Sequence, residues 1–238
     1  MVKIENLKIQ LFADGANLKE IDLLSKNPLI KGFTTNPSLM KKSGVEDYKD
    51  FALKLVKLVP NKPISLEVFA DEEEEMIRQA KLISSLGENI NVKVPIMNTK
   101  GVLTGNVIKE LSKNNIKLNI TAVFTLKQVE YILKNLEGSN YTIISVFAGR
   151  IADSGIDPEL IIKNINKNYI LSSNVHLLWA STRETFNIIQ AERVGCKIIT
   201  VSNDILKKIN LFNKNQEEYS KETVKMFYDD AMSSGFKI

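Results

Sequence analysis

The chain has 238 residues, 44% hydrophobic and 25% charged, a composition that excludes disordered, collagen-like and disulfide-scaffold proteins. Thirty-two Lys and Arg against 28 Asp and Glu leave a formal charge of +4, spread too evenly along the chain to suggest a nucleic-acid partner. The single cysteine, Cys196, forbids an intrachain disulfide and fits a reducing compartment.

In chain order, the opening MVKIENLKIQ has no apolar leader core. No later stretch approaches the ~18 apolar residues of a membrane span. A cytoplasmic protein without a membrane partner is expected. Short, β-branched apolar runs follow at residues 9–14, 32–36, 64–69, 91–96, 118–124, 141–149, 175–181 and 197–202, and these read as strands. Longer amphipathic segments lie between them, among them 45–59, 72–86, 102–113 and 126–136. In the second of these, Met76, Ala80, Ile83 and Leu86 recur at helical spacing. The acidic run 71–75 is read as a first helical turn whose charges complement the helix dipole, not as a metal site. His176 stands alone between two apolar strand residues and reads as a packed histidine.

Eight strands alternating with helices imply a parallel sheet. The length suits a (βα)8 TIM barrel at about 30 residues per unit. No Pro/Gly/Ser-rich linker interrupts the series, so residues 1–238 are expected to form one barrel domain, with a helical extension over about 207–238. In that extension Val224, Phe227, Tyr228, Ala231 and Met232 make an apolar stripe. It is expected to cover the chain's own barrel, with a swapped contact to a neighbouring subunit as the alternative.

Polar residues interrupt the strands near their C-terminal ends, the edge of a barrel where active sites lie. Asp14 ends the first strand and Thr35-Asn36 the second. Glu67 falls within the third, Lys93 within the fourth, and Asn119 and Thr121 within the fifth. Ser145 and Arg150 follow in or after the sixth, with Ser181 and Arg183 at the seventh. Strand alternation sends Lys93 into the barrel if Val92 and Val94 face the helices. Burying such groups costs several kcal/mol each unless they are paired or used. A lysine beside two carboxylates suits Schiff-base chemistry, because a desolvated amine can attack a carbonyl and the carboxylates can move the protons. A purely structural Lys–Glu–Asp ion network is the competing reading.

The segments FADGAN, GFTTNPSL, ISLEVF, NVKVPI, NITAVF, ISVFAGR and ASTR resemble, in order and spacing, the transaldolase family, including its short members and the fructose-6-phosphate aldolases. The resemblance runs from about Leu11 to about Leu206. It implies a class I aldolase-type barrel without metal or other cofactor, in which Lys93 forms the Schiff base and Asp14 is the acid/base of carbon–carbon cleavage. It further implies that Glu67 and Thr121 hold the catalytic water. Asn36, Asn119 and Ser145 would bind the hydroxyls of a dihydroxyacetone unit, with Thr35 and Phe147 in the same substrate site. Arg150, Ser181 and Arg183 would bind the sugar phosphate. Glu67, where the aldolase branch has Gln, and Phe147, where it has Tyr, point to a transaldolase. The expected activity is transfer of a dihydroxyacetone unit between sugar phosphates of the pentose phosphate pathway by a homo-oligomer. The alternatives are an aldolase, one of surface-glycan biosynthesis included, and a non-catalytic sugar-phosphate-binding barrel. The sequence departs from the family pattern at Gly15, at Val146 and across 210–219.

Overall fold

The computed structural model describes residues 4–138 and 140–237; Met1–Lys3, the start of the segment searched for a leader, lie outside them. Eight parallel strands close into a barrel in sequence order, each pairing with the next and β8 with β1. They are β1 (Gln10–Asp14), β2 (Ile30–Thr34), β3 (Ile64–Glu67), β4 (Ile90–Pro95), β5 (Leu118–Val123), β6 (Thr142–Val146), β7 (Val175–Trp179) and β8 (Ile198–Ser202). Between them run α1 (Leu18–Ser25), α2 (Pro37–Lys42), α3 (Tyr48–Leu58), α4 (Glu73–Ser84), α5 (Gly105–Lys113), α6 (Leu126–Asn135), α7 (Ala148–Asp153), α8 (Pro158–Asn168) and α9 (Asn187–Arg193). After β8 come α10 (Asn203–Lys207) and α11 (Gln216–Ser233). The chain is a TIM barrel with a C-terminal helix.

Element boundaries shift where capping chemistry intervenes. The second strand ends before Asn36 because that side chain accepts the Leu39 amide and starts α2, with Pro37 at its first position. Asp47 similarly delays α3 by accepting the Asp50 amide, and Thr125 with Gln128 forms a capping box on α6. Ala148 and Gly149, read as strand, belong to α7. The acidic run does sit at the start of α4, with Glu73, Glu74 and Glu75 in its first turn.

Two apolar layers hold the barrel. The larger packs the outward strand residues, such as Val92, Val94, Ile120 and Ile199, against helix residues such as Leu55, Ile83, Leu111 and Ile162. Each fully buried side chain of this kind contributes roughly 1.5–3 kcal/mol. The smaller cluster fills the barrel interior with Phe12, Ile143, Leu178, Ala180 and Ile198. Gly32 is required there, because a β-carbon would lie 2.6 Å from the Phe12 ring. This plug closes the middle of the barrel and leaves the polar layer at the strand C-termini as the floor of an open cavity.

The C-terminal stripe corrects the sequence reading. Residues of α11 are not buried: Val224, Phe227, Tyr228 and Met232 are all more than half exposed, Phe227 at 62%. The helix is capped by Asn215 and internally bonded, but it does not lie on this chain's barrel. Among the described residues its apolar face is not buried against any other part of the chain. Among the described residues no helix is long and apolar enough to cross a membrane.

Candidate active site

Parallel register places the chemistry. Glu67 of β3 pairs with Lys93 of β4, and Lys93 with Asn119 of β5, so their side chains rise side by side on the inner face. Lys93 is buried, its side chain 8% exposed; its Nζ lies 2.9 Å from Glu67 Oε2 and donates to the Thr35 carbonyl at 2.8 Å. On the neighbouring strands β1 and β2, Asp14 is opposite Thr34 in the register, and the Thr34 hydroxyl donates to Asp14 Oδ1 at 2.8 Å. The Thr200 hydroxyl of β8 contacts Thr34 in turn. Burial pushes the Asp14 carboxyl up; the Lys93 charge and the Thr34 hydrogen bond oppose this, while the Glu67 charge reinforces it. Tyr48 donates to the Glu67 carbonyl at 2.9 Å and fixes the end of β3, and burial together with the Glu67 charge raises its phenol.

Below the cavity mouth, Ser145 Oγ and Asn119 Oδ1 are 2.6 Å apart, and Asn119 Nδ2 donates to Ser65 Oγ at 3.0 Å. The chain of buried groups orients the Asn119 amide. Thr121 faces the same space with its hydroxyl buried and unpartnered. A left-handed Ala122, φ +58°, interrupts the β5–β6 register just beyond it. That bulge re-aims the strand end, so Thr121 and Val123 do not follow simple alternation.

The resulting cavity, about 120 Å³, is lined by Asp14, Thr34, Asn36, Lys93, Asn119, Thr121, Ser145, Phe147, Arg150, Leu178, Ala180, Ser181 and Thr200. Wider grooves lie elsewhere: one of about 530 Å³ beside Asn17 and Asp50, and one of about 700 Å³ at the other end of the barrel beside Lys62 and Asn91. Neither contains a buried ion pair among the described residues. The site-forming residues read from the sequence therefore converge, with three exceptions to the lining. Glu67 reaches the site through its ion pair with Lys93 but does not line the cavity. Thr35 gives its carbonyl to Lys93, but its hydroxyl is buried without a partner and does not line the cavity, because alternation turns Thr34 inward instead. Arg183 lies outside the lining and grips Asp153 of α7 through Nε and Nη2. Arg150 does line the cavity, its guanidinium 5.8 Å from the Phe147 ring centroid.

Thr34, Thr200, Ser65 and Asp153 were not read from the sequence. Thr200 and Ser202 alternate along the eighth strand, a signal that could have been used. Ser65 lies two residues before Glu67 on the same face and could have been found that way too. His176 packs against Tyr141 at 4.9 Å between ring centroids, and its burial lowers its pKa. Among the described residues no group of three or more His, Cys, Asp or Glu is placed to hold a metal.

Fold and site together define a TIM-barrel protein with a lysine–carboxylate centre at the C-terminal strand ends, the position of an enzyme active site. A family model described as transaldolase/fructose-6-phosphate aldolase matches residues 11–238, and the chain belongs to that family. A "Probable transaldolase" of Thermoanaerobacter sp. is 33% identical over 233 residues, covering 97% of this chain and 100% of the relative. One from Carboxydothermus hydrogenoformans is 34% identical over 216 residues, covering 90% of this chain and 95% of the relative. Among solved structures, dihydrodipicolinate synthase from Rhodopseudomonas palustris superposes with a TM-score of 0.55 at 12% identity, covering 98% of this chain and 82% of that one. Thiamine phosphate pyrophosphorylase from Pyrococcus furiosus gives 0.55 at 10% identity, covering 82% and 86%. At such identities these two show the shared barrel alone.

Proposed function

We propose that the protein is a transaldolase that carries a dihydroxyacetone unit on Lys93 between sugar phosphates. The observation that carries this reading is the Lys93 ammonium held 2.9 Å from Glu67 inside a cavity that also holds Asp14 and the unpartnered Thr121 hydroxyl. Glu67 takes a proton from Lys93, and the neutral amine adds to the ketose carbonyl. Loss of water, handled between Glu67 and Thr121, gives the imine. Asp14 removes the proton from the hydroxyl beside the breaking carbon–carbon bond, and the aldose phosphate leaves. The enamine left on Lys93 attacks the aldehyde of an acceptor, and hydrolysis of the new imine frees the product. Asn119, Ser145 and Asn36 hold the hydroxyls of the retained three-carbon unit. Arg150 and Ser181 face the phosphate end.

Ketose phosphates such as fructose 6-phosphate or sedoheptulose 7-phosphate serve as donors. Erythrose 4-phosphate or glyceraldehyde 3-phosphate serves as acceptor, a place in the pentose phosphate pathway of the cytoplasm. The exposed apolar face of α11 supports a homo-oligomer in which a second copy covers it, and sedimentation velocity measures this directly. The mechanism is tested by incubating the protein with fructose 6-phosphate, reducing with borohydride and mapping the adduct by mass spectrometry. A reduced adduct on Lys93 is expected. Its absence across a panel of ketose phosphates refutes the mechanism, and acceptor-independent release of dihydroxyacetone refutes the transferase assignment in favour of an aldolase.

A further inference from the structure

We propose that Asp153 is a positioning residue for the phosphate end of the substrate: it tethers Arg183 so that this guanidinium stands with Arg150 at the cavity rim. The inference rests on the transaldolase reading and extends it to a residue outside the cavity lining.

Helix α7 carries both Arg150, which lines the cavity, and Asp153 one turn further on. Arg183 Nε donates to both Asp153 oxygens at 3.0 Å, and Nη2 donates to Oδ2. Nη1 donates to the Ser181 carbonyl at 3.1 Å. Guanidinium has five N–H donors in a planar fork. A carboxylate on Nε and Nη2 and a carbonyl on Nη1 leave one N–H on each Nη for a second anion. The segment that carries Arg183 is itself locked against α7. Ser181 adopts a left-handed φ of +63°, and its carbonyl oxygen would lie 1.6 Å from a β-carbon at Gly149, so the two segments approach this closely only with glycine there. The Gly149 amide also donates to the Ala180 carbonyl at 3.3 Å. Gly149 and Asp153 thus grip the loop after β7 at two points, and Ser181 and Arg183 are placed together.

The Asp153 carboxylate has two opposed effects on an anion at the rim. It cancels one of the two arginine charges, which weakens attraction. It also freezes Arg183 before binding, which removes the entropy cost of immobilising a long side chain. Arg183 keeps 45% of its side-chain surface exposed, so an arriving phosphate reaches it. The geometry points to positioning as the larger effect, because three of the guanidinium contacts are made by Asp153 alone.

The test compares the full-length wild type with Asp153→Asn and Asp153→Glu. Inorganic phosphate binding is read by calorimetry, and kcat and KM are measured with fructose 6-phosphate and with unphosphorylated fructose. Asp153→Asn is expected to weaken phosphate binding by about tenfold and to act on KM for the phosphorylated donor more than on kcat. The preference for phosphorylated over free donor falls with it, and Asp153→Glu recovers part of the loss. Phosphate binding that is unchanged or tighter in Asp153→Asn identifies the carboxylate as a mere charge competitor and overturns the proposal. If Asp153→Asn fails to fold, Arg183→Lys serves instead; it keeps the charge but loses the fork, and unchanged phosphate affinity there overturns the proposal equally. Calorimetry does not require turnover. A wild type that binds phosphate but gives no Lys93 adduct would refute the transaldolase reading and leave the anion site standing, whereas a wild type that does not bind phosphate overturns the site.

Discussion

Replacing Lys93 with Met removes the ammonium and keeps an unbranched apolar stem. Glu67 then loses the single ion pair it makes among the described residues, in a place where its side chain is 18% exposed. Breaking a buried pair from one side costs about 3–5 kcal/mol. Glu67 retains some contact with water, so the expected loss is at the lower end, about 3 kcal/mol. Glu67→Gln alone leaves the ammonium with the Thr35 carbonyl and the Asp14 charge, and costs no more than about 3 kcal/mol. The double variant Lys93→Met/Glu67→Gln removes both charges and should be destabilised by well under the sum, giving a coupling of about 1–3 kcal/mol. Asp14 adds a pH signature. Lys93 opposes the effect of burial on the Asp14 carboxyl, so Lys93→Met should be less stable relative to wild type at about pH 8 than at about pH 5. Urea unfolding followed by circular dichroism on all four proteins measures both effects. Single-variant losses that add to the double-variant loss within about 0.5 kcal/mol would show that the 2.9 Å pair is not energetically coupled, and the placement of a charged amine against Glu67 would be wrong.

Asp14→Asn should lower kcat by about 10²–10⁴ while raising stability at neutral pH. Burial holds the folded Asp14 pKa above its ordinary 3.8, so this carboxyl favours the folded state most below that value and loses the contribution as pH rises through the folded pKa. Thermal melts should show the stability gain shrinking in acid, and a gain equal at about pH 4 and about pH 8 would contradict the burial argument. Away from the site, Glu159 of α8 is held at a pKa of about 2, first by Arg193, with Gln190 and Lys163 also donating to it. A carboxyl held below its usual 4.5 stabilises the fold above that pH and loses the effect as pH falls toward 2. Arg193 and Lys163 are about half exposed, so solvent screening reduces the stabilisation to about 1–2 kcal/mol. Glu159→Gln should show that deficit near neutral pH in denaturant melts and converge with wild type in acid, and a pH-independent deficit would assign the loss to packing.

Much of the molecule is legible in local chemistry. The alternation of β-branched runs with amphipathic segments is a direct record of strands buried on both faces and of helices with one wet face, and it yields eight strands in order. Lys93 between Val92 and Val94 is readable for the same reason, since a period of two leaves it no choice once the valines face the helices. Boundaries are less legible. Asn36 and Asp47 look like strand or helix residues until their side chains are seen to take up amides at helix starts. At the second strand local pattern does not separate Thr35 from Thr34, because which of two adjacent threonines turns inward depends on register with Asp14, twenty residues from Thr34.

The sequence by itself therefore determined the barrel and the polar ends of its strands, because these depend on side-chain periodicity and on residue types at short spacing, and its motifs carried the resemblance to the family. Only the tertiary structure decided what those residues meet. Arg183 is bound to Asp153, Thr34 and Thr200 support Asp14, and Ser65 orients Asn119, all through contacts between segments 20 to 166 residues apart. It also decided that α11 leaves its apolar stripe open to solvent, where the pattern alone suits a helix packed on its own barrel or on a neighbouring subunit. Periodicity specifies that a face is apolar; the surface it meets is set by where the chain has carried the helix.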